Sequence, residues 1–176
     1  MAEFLIFETA LGWMGVVLRA GRLARVILPE SSRGSVRRRI DDAFPGTTSA
    51  GNNFLYRAAR QLAEDAAGAR RTFNLPLDLG GMSAFRRRVL RACGGIPFGQ
   101  CWTYGGLAAA VGSPRAARAV GQVMRLNPLP IVIPCHRVLG ADGRLVGFGG
   151  PSGVRVKRRL LAHEGVAFRG GNVLLS

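Results

Sequence analysis

The sequence predicts an α/β fold with an added helical part: a small α/β domain in residues 1–81 and a mainly helical domain in residues 82–176. Three observations support this prediction. Short apolar runs alternate with glycine turns at the start of the chain, which is typical of an antiparallel sheet. Two amphipathic stretches are then followed by a segment that contains a proline and a glycine pair. Beyond that segment, a glycine-containing turn joins two short helical stretches, as in a helix-turn-helix.

The amino-terminal domain is predicted to hold a three-stranded antiparallel meander followed by two helices. Its strands and helices are expected, in order, at residues 4–8, 13–19, 23–28, 32–44 and 53–67. Gly12 and Gly21 provide the turns between the strands, and Gly68 ends the second helix. The segment 71–81, which includes Pro76, is expected to be extended and to form the domain boundary.

The second domain is predicted to contain four helices, at residues 84–93, 104–111, 114–126 and 154–163. Ser83 is the expected N-cap of the first, and Ser113 followed by Pro114 marks the start of the third. The first and last helices combine an apolar stripe with an outer row of cations. These cations are expected to face solvent, and contact with a nucleic acid is the alternative for the first row. The two rows are Arg86, Arg87, Arg88 and Arg91, and Arg155, Lys157, Arg158 and Arg159.

The second helix of the predicted helix-turn-helix has an unusual surface. It presents Ala116, Ala117, Ala119 and Gly121 around one long cation, Arg118. Small residues let a helix approach a narrow groove closely, and an arginine that projects from them can enter the base stack. The alternative is that the alanines simply favour the helix and Arg118 is an ordinary surface residue.

Charge and cysteine content indicate the partner and the compartment. Residues 1–82 hold 11 basic and 8 acidic residues, net +3, whereas residues 83–176 hold 14 and 2, net +12. This asymmetry predicts a polyanion, nucleic acid above all, as the partner of the second half; a general arginine excess from a GC-rich genome is the alternative. The three cysteines are odd in number and lack CxxC spacing, which argues against disulfides and a cysteine zinc site.

No apolar run approaches the length of a membrane span, and the amino terminus lacks the basic region of a signal peptide. We therefore expect a protein of the prokaryotic cytosol or nucleoid, without a membrane partner.

The stretch 131–138 carries the candidate chemistry. Residues 131–134 are predicted to form a buried strand that leads to Cys135, the cysteine that has a histidine, His136, beside it. Neighbours in a strand point to opposite faces, so a turn after Pro134 must bring the imidazole towards the sulfur. A thiolate is a strong nucleophile and needs such a partner at neutral pH.

A carboxylate is the expected orienting group for the imidazolium that forms when His136 takes the thiol proton. Only Asp142 and Glu164 are available between residues 83 and 176. Asp142 with Gly143 is expected to form a hairpin turn, so a Cys135-His136-Glu164 relay is the simplest assignment.

These residues belong to a longer ordered set of motifs: Thr103-Tyr104-Gly105, Ala116-Ala117-Arg118-Ala119-Val120-Gly121, Asn127-Pro128, Ile133-Pro134-Cys135-His136-Arg137-Val138 and Leu160-Leu161-Ala162-His163-Glu164-Gly165. The set resembles the O6-alkylguanine-DNA alkyltransferases, also called methylated-DNA-protein-cysteine methyltransferases, over nearly all of residues 83–165. Weaker similarity continues at Leu11-Gly12 and in residues 75–79. The resemblance implies a ribonuclease H-like amino-terminal domain and a winged-helix-like carboxy-terminal domain.

The resemblance also implies roles for individual residues. Cys135 would accept the alkyl group of O6-alkylguanine, or of O4-alkylthymine, from a nucleotide flipped out of duplex DNA. His136 would act as a base through a water, and Glu164 would orient it. Tyr104 would assist the departure of guanine and crowd the phosphate. Asn127 would hold the turn that leads to the active-site strand.

The remaining implied residues contact DNA or the lesion. Arg118 would fill the vacated stack from the minor groove, and the further DNA contacts implied are Ala116, Ala117, Thr103, Tyr104, Ser113, Arg125 and Arg137. The alkyl and base pocket would be lined by Met124, Pro130, Val138, Phe148 and Gly149. Phe148 stands where the family usually has tyrosine, and the loop 149–153 is about two residues longer than is typical.

The resemblance implies a monomer without a cofactor. The zinc site of some relatives has no ligands here, because no cysteine or histidine precedes Cys93. Transfer to sulfur forms a thioether, which this site has no means to hydrolyse, so each protein is expected to act once. A Cys-His hydrolase or redox sensor, and a DNA-binding module that only senses lesions, are the alternatives.

Overall fold

The computed structural model describes residues 2–147 and 153–174. The chain forms two compact units, one of Met1–Gly80 with Pro128–Val132 and one of Gly81–Asn127 with Ile133–Ser176. The short segment Pro128–Val132 thus groups with the amino-terminal unit, although it lies far along the sequence. Sequence patterns assign it to the second domain because they contain no information about such a long-range return.

The amino-terminal unit is built on a four-stranded sheet of order β3-β2-β1-β4. The antiparallel strands β1 (Ala2–Thr9), β2 (Gly12–Arg19) and β3 (Arg22–Glu30) form the expected meander. A fourth strand, β4 (Thr48–Ser49), pairs in parallel with β1 and is absent from the sequence prediction. With only two residues, it is too short to show an alternating pattern.

Two helices pack on this sheet. The helix α1 (Arg33–Ala43) begins after Ser32, whose side chain accepts a hydrogen bond from the Ser35 amide, and α2 (Asn53–Ala66) begins after Asn52 in the same way. The core between α1 and the sheet contains Phe4, Ile6, Val17, Ile27, Val36 and Ile40. Gly15 of β2 is needed there, because a Cβ atom on it would lie 2.7 Å from Val36 Cγ1.

The extended segment before the second unit is anchored to β3. Leu77 forms a parallel bridge with Leu23, whose amide donates to the Pro76 carbonyl at 2.8 Å. The segment Pro128–Val132 is anchored as well, since the Pro128 carbonyl accepts from the Val26 amide at 3.0 Å.

The second unit contains the helices α3 (Ala84–Gly94), α4 (Tyr104–Ala110), α5 (Ala117–Arg125) and α6 (Gly153–His163). Both α3 and α4 pack against α5, and residues 111–116 join α4 to α5 as the turn of a helix-turn-helix. The parallel pair β5 (Trp102–Thr103) and β6 (Val138–Leu139) places the start of α4 beside the chain that follows Cys135. A hairpin of β7 (Phe168–Arg169) and β8 (Asn172–Val173) ends the unit.

Two local predictions in the second half of the chain are wrong. The helix α5 begins after Ala116 instead of after Ser113, because residues 113–116 close a turn in which the Ala116 amide donates to the Ser113 carbonyl at 2.8 Å. Residues 131–134 do not form a strand. Ile131 has a φ of 74°, which breaks the extended backbone that an apolar run of this kind predicts.

The arginines of α3 do not all face solvent. Arg86 donates to the Leu126 carbonyl at the carboxyl end of α5 at 2.5 Å, and Arg87 donates to the Met82 carbonyl. Arg88 and Arg91 are exposed, as the sequence predicts. Among the helices of the described residues, none is long and apolar enough to span a bilayer.

Candidate active site

Cys135 lies on a single 3-10 turn, Cys135–Arg137, between Pro134 and β6. The Arg137 amide donates to the Pro134 carbonyl at 2.9 Å and closes the turn. Because the backbone is helical here, Cys135 and His136 do not alternate across a strand. The Cys135 side chain is buried, with 4% of the residue exposed. The expected break after Pro134 is therefore present.

His136 and Glu164 form the buried pair that the relay predicted from the sequence requires. The His136 Nε2 atom lies 2.6 Å from Glu164 Oε1, and the two side chains are 2% and 6% exposed. Glu164 directly follows α6, where its amide continues the helical hydrogen bonds to Leu160 and Leu161. The Gly99 amide donates to the other carboxylate oxygen at 3.0 Å. Glu164 thus holds His136 through Nε2.

Arg137 is a buried partner of Glu164, and its contact with DNA stays a prediction. Its Nε and Nη2 atoms each lie 2.9 Å from a different oxygen of the Glu164 carboxylate, and Nη1 donates to the Ile96 carbonyl at 2.5 Å. The guanidinium also lies over the Phe98 ring, and only 6% of the residue is exposed. This bidentate geometry fixes the plane of the carboxylate that faces His136.

The electrostatics of the relay favour an ionised Glu164 beside a neutral His136. Burial alone would raise the pKa of Glu164, but hydrogen bonds from His136, Arg137 and Gly99 outweigh it and lower the pKa to about 2. Burial lowers the pKa of His136, against the raising effect of Glu164. At neutral pH the imidazole is therefore a base that can accept a proton.

The Cys135 thiol is protonated in the resting protein. Burial raises its pKa, and hydrogen bonding by Asn127 and the nearby charge of Lys157 oppose that rise. Asn127 also donates from Nδ2 to the Ile133 carbonyl at 2.9 Å, which ties the end of α5 to the residue just before the Pro134-Cys135 pair. Cys135 therefore needs a base to remove its proton before it can act as a thiolate.

Lys157 is part of the site, although the sequence pattern predicts it on the outer face of α6. It is fully buried, and its Nζ donates to the carbonyls of Val138 at 2.5 Å and Val146 at 3.2 Å. Burial lowers its pKa to about 8. Its spacing with Leu160, Leu161 and Glu164 on α6 places it on the inner face, and it is the single lysine among 25 basic residues. These two features are the signals in the sequence that could have found it.

Tyr104 lies at the start of α4, beside both Lys157 and α5. Its hydroxyl donates to the Val146 carbonyl at 3.3 Å, and Lys157 Nζ is 5.7 Å from the centre of its ring. Burial raises the pKa of Tyr104 to about 12, so the hydroxyl keeps its proton. A Cβ atom on Gly121 would stand 3.9 Å from the ring, which shows that the small residue of α5 packs against Tyr104.

The predicted DNA contacts have different environments. Arg118 and Arg125 are exposed on α5, and Arg125 Nε donates to Gln122 Oε1 at 3.1 Å. Ala116 and Ala117 are half-buried at the start of that helix, and Ser113 is half-buried in the turn before it. Thr103 caps α4, because its hydroxyl accepts from the Gly106 amide at 2.9 Å. Their role in DNA binding stays a prediction.

The residues predicted for the alkyl pocket are only partly described. Met124 of α5 and Val138 of β6 are buried in the second unit. Pro130 lies in the segment that groups with the amino-terminal unit. Phe148 and Gly149 lie outside the described residues. Pocket lining therefore stays a prediction for all of them.

The other two cysteines are free thiols with little acidity. Cys93 is buried, which raises its pKa well above the usual value, and burial raises the pKa of Cys101 to about 11. Within residues 2–147 and 153–174, no three histidine, cysteine or acidic side chains are grouped so that they could hold a metal ion. Cys135 differs from both in that its neighbour in the chain is a histidine.

Comparison with known proteins identifies the family. A family model described as 6-O-methylguanine DNA methyltransferase, DNA binding domain, matches residues 84–166. The constitutive methylated-DNA--protein-cysteine methyltransferase of Bacillus subtilis is 37% identical over 162 residues, which cover 92% of this chain and 94% of the relative. A methylated-DNA--protein-cysteine methyltransferase of Mycolicibacterium paratuberculosis is 50% identical over 107 residues, which cover 61% of this chain and 63% of the relative.

Solved structures agree over both units of the chain. The crystal structure of Mycobacterium tuberculosis O6-methylguanine methyltransferase matches with a TM-score of 0.76 at 33% identity and covers 93% of each chain. A crystal structure of Mycobacterium tuberculosis OGT in complex with DNA matches with a TM-score of 0.76 at 34% identity and covers 92% of each chain. The resemblance found in the sequence is confirmed, and this chain belongs to the methylated-DNA--protein-cysteine methyltransferase family.

Proposed function

We propose that this protein repairs alkylated DNA by direct reversal, in which Cys135 takes the alkyl group from O6 of guanine. The observation that carries this proposal is the buried pair of Glu164 and His136, the residue next to Cys135 in the chain, with His136 Nε2 2.6 Å from the carboxylate. The family supports the reaction type, because its named members are methylated-DNA--protein-cysteine methyltransferases. We extend the substrate to O4-alkylthymine on the resemblance alone.

The chemical step begins with removal of the thiol proton. Neutral His136 accepts that proton on Nδ1, directly or through a water, and the ionised Glu164 stabilises the imidazolium that results. Arg137 holds Glu164 in place and keeps it ionised, since the two are bonded bidentately. The sulfur then attacks the alkyl carbon, so that the S–C bond forms as the C–O6 bond breaks.

The electron pair of the broken bond passes into the guanine ring, which needs a proton to leave as neutral guanine. Tyr104 supplies hydrogen bonding, or the proton itself, to the base. Its hydroxyl is protonated at neutral pH because burial raises its pKa to about 12. Asn127 and Lys157 assist the thiolate, since both lower the pKa of Cys135.

The helix α5 binds in the minor groove of the DNA. The exposed Arg118 inserts into the stack that the flipped nucleotide leaves, and the small residues Ala116 and Ala117 let the helix come close to the backbone. Tyr104 crowds the phosphate and favours rotation of the nucleotide. Flipping costs a few kcal/mol and costs less for a poorly paired, damaged base, which contributes to selectivity.

The proposal extends to the fold type and the state in which the protein acts. The amino-terminal unit is ribonuclease H-like and the second unit winged-helix-like, which fits the meander with two helices and the helix-turn-helix with short strands. The protein acts as a monomer on double-stranded DNA. Its free cysteines suit the reducing cytosol.

Titration of a duplex that contains O6-methylguanine tests the function. With the duplex in excess, each protein molecule should restore one guanine and then stop, because the thioether is not hydrolysed. Cys135→Ala should restore none, whereas Cys101→Ala, which removes a thiol of raised pKa, should behave as the wild type. Continued repair beyond one equivalent, or repair by Cys135→Ala, would contradict the proposal.

A further inference from the structure

A second basic site lies in the carboxy-terminal unit, and the residues that line it are not those assigned to the reaction. The outer face of α6, the chain after the 140–144 turn and the β7-β8 hairpin enclose an open cleft of about 680 Å³. Three arginines line it, Arg144, Arg155 and Arg158, together with the apolar side chains of Leu145 and Val154. None of these residues belongs to α4, α5 or the relay at Cys135.

The walls of the cleft are held by specific contacts. The Val173 amide of β8 donates to the Gly143 carbonyl at 2.9 Å. A side chain at Gly143 would collide with β8, because a Cβ atom there would lie 2.2 Å from the Val173 carbonyl oxygen. The hairpin turn uses Gly170 and Gly171, with φ values of 57° and 91°, so no side chain from these residues fills the cleft. The cleft is therefore a built feature of the unit.

Cations dominate the lining of the cleft. Among the described residues, those that line it include three arginines and no acidic side chain. Arg144 pairs with Asp142 at 2.9 Å, and both side chains are more than half exposed. Arg155 and Arg158 stand three residues apart on α6, a spacing at which like charges repel and an anion between them would be stabilising.

The cations are suited to a phosphate with a sugar attached. Arg158 lies over the Phe168 ring of β7, with its guanidinium carbon 4.8 Å from the ring centre, which restricts the orientation of its planar donors. Planar guanidinium groups bind phosphate oxygens bidentately. Val154 is 45% exposed and provides an apolar surface at the cleft for a deoxyribose.

We propose that this arginine cleft, defined by Arg144, Arg155 and Arg158, binds the phosphodiester backbone of DNA at a position separate from α5. The inference rests on the proposed function, which makes DNA the partner. A phosphate in the cleft neutralises Arg155 and Arg158 together and lies beside the apolar side chain of Val154. The same chemistry would also accept free phosphate, and the experiment distinguishes the two sources.

The test compares two double variants of the full chain. Arg155→Ala with Arg158→Ala removes the cleft cations. Arg57→Ala with Arg60→Ala in α2 is the matched control, because it removes the same charge at the same helical spacing from exposed positions, and Arg57 likewise lies over a phenylalanine ring. Affinity for an undamaged duplex is measured by fluorescence anisotropy over a salt series. Reaction with free O6-benzylguanine reports on the fold and the active site without DNA.

The cleft pair should weaken duplex binding about three- to tenfold at low salt and reduce the slope of log affinity against log salt by about 0.9 for each phosphate that the variant no longer neutralises. The α2 pair should leave the slope unchanged, and both should react with O6-benzylguanine at the wild-type rate. An unchanged slope in the cleft pair, or an equal reduction in the α2 pair, would overturn the proposal.

Two further outcomes separate this proposal from the proposed function. In the first, the wild type transfers no alkyl group, but the salt slope of duplex binding is still smaller in the cleft variant than in the wild type. This result would refute the repair function and support DNA binding by the cleft. The second outcome concerns free phosphate as the ligand, which is tested by titration with inorganic phosphate followed by NMR of the arginine side chains. Loss of phosphate binding in the cleft pair without any change in the duplex slope would assign the site to free phosphate and contradict DNA binding there.

Discussion

The substitution Glu164→Gln tests how strongly one carboxylate supports both the fold and the reaction. In the wild type this carboxylate holds His136, two guanidinium nitrogens of Arg137 and the Gly99 amide. A neutral amide replaces one acceptor oxygen with a donor and leaves the charge of Arg137, which is 6% exposed, without its counter-charge. Removing one partner of a buried ion pair costs about 3–5 kcal/mol.

The pH dependence gives an independent magnitude. The pKa of Glu164 is lowered from 4.5 to about 2, which corresponds to about 3 kcal/mol at roughly 1.4 kcal/mol for each pKa unit. The unfolded state binds the proton more readily than the folded state. The contribution is therefore complete above about pH 5, and it is lost as the pH falls towards 2. The variant should lack this part of the acid destabilisation.

Urea unfolding between pH 7 and pH 3 measures the stability, and the rate with free O6-benzylguanine measures the chemistry. We expect Glu164→Gln to lower the free energy of unfolding at pH 7 by about 3–5 kcal/mol. The reaction rate should fall by roughly 10²-fold or more, because the imidazolium loses its counter-ion. Asp142→Asn is the control, since it removes an exposed carboxylate from Arg144 and should leave stability and rate close to those of the wild type. Wild-type stability and rate in Glu164→Gln would refute this reasoning.

Three other predictions concern the neighbouring residues. Asn127→Ala leaves a buried carbonyl without its donor and should lower stability by about 1–3 kcal/mol, while pH-rate profiles show the apparent pKa of Cys135 moving upward. An unchanged profile would count against the hydrogen bond. Lys157→Met removes a lysine whose folded pKa is about 8, below the ordinary 10.5, so wild-type stability should rise relative to the variant as the pH increases between these values. If the free energies of unfolding of the wild type and the variant changed in parallel with pH, the lowered pKa of Lys157 would be contradicted. Arg118→Ala should slow repair of duplex DNA far more than reaction with O6-benzylguanine, whereas Arg57→Ala, which removes an exposed cation of α2, should react with both substrates as the wild type does. Equal losses on both substrates would remove the insertion role.

Several parts of the fold follow directly from local sequence chemistry. The meander and five of the six helices are where alternation, apolar spacing and capping residues place them, within a few residues. The start of α5 is the exception. Ser113 and Pro114 are residue types typical of a helix start, but the same types also favour turns. Here they form a turn, which the hydrogen bond from the Ala116 amide to the Ser113 carbonyl closes.

The parts that sequence patterns miss depend on distant contacts. Lys157 stands in a run of cations typical of an exposed helix face, yet its ammonium group is buried and donates to the carbonyls of Val138 and Val146. Arg137 directly follows the reactive dipeptide, and its buried partner, Glu164, is 27 residues away in the chain. Ile131 lies in a β-branched run typical of a strand, but its φ is positive, and it belongs to the segment Pro128–Val132 that groups with the amino-terminal unit.

The relay itself is predictable because few residues compete for its roles. One cysteine has an adjacent histidine, and only two carboxylates exist in the second half of the chain. With Asp142 assigned to a turn, Glu164 is the remaining partner, and the structure places it 2.6 Å from His136.

Mass analysis of the tryptic peptide that contains Cys135 tests the central claim most directly. After incubation with a duplex that contains O6-methylguanine, this peptide should be heavier by one methylene group in proportion to the guanine restored. The tryptic peptide of residues 92–115, which contains both Cys93 and Cys101, should keep its original mass. An unmodified Cys135 peptide alongside repaired DNA, or the added mass on another residue, would contradict the assignment of Cys135 as the alkyl acceptor.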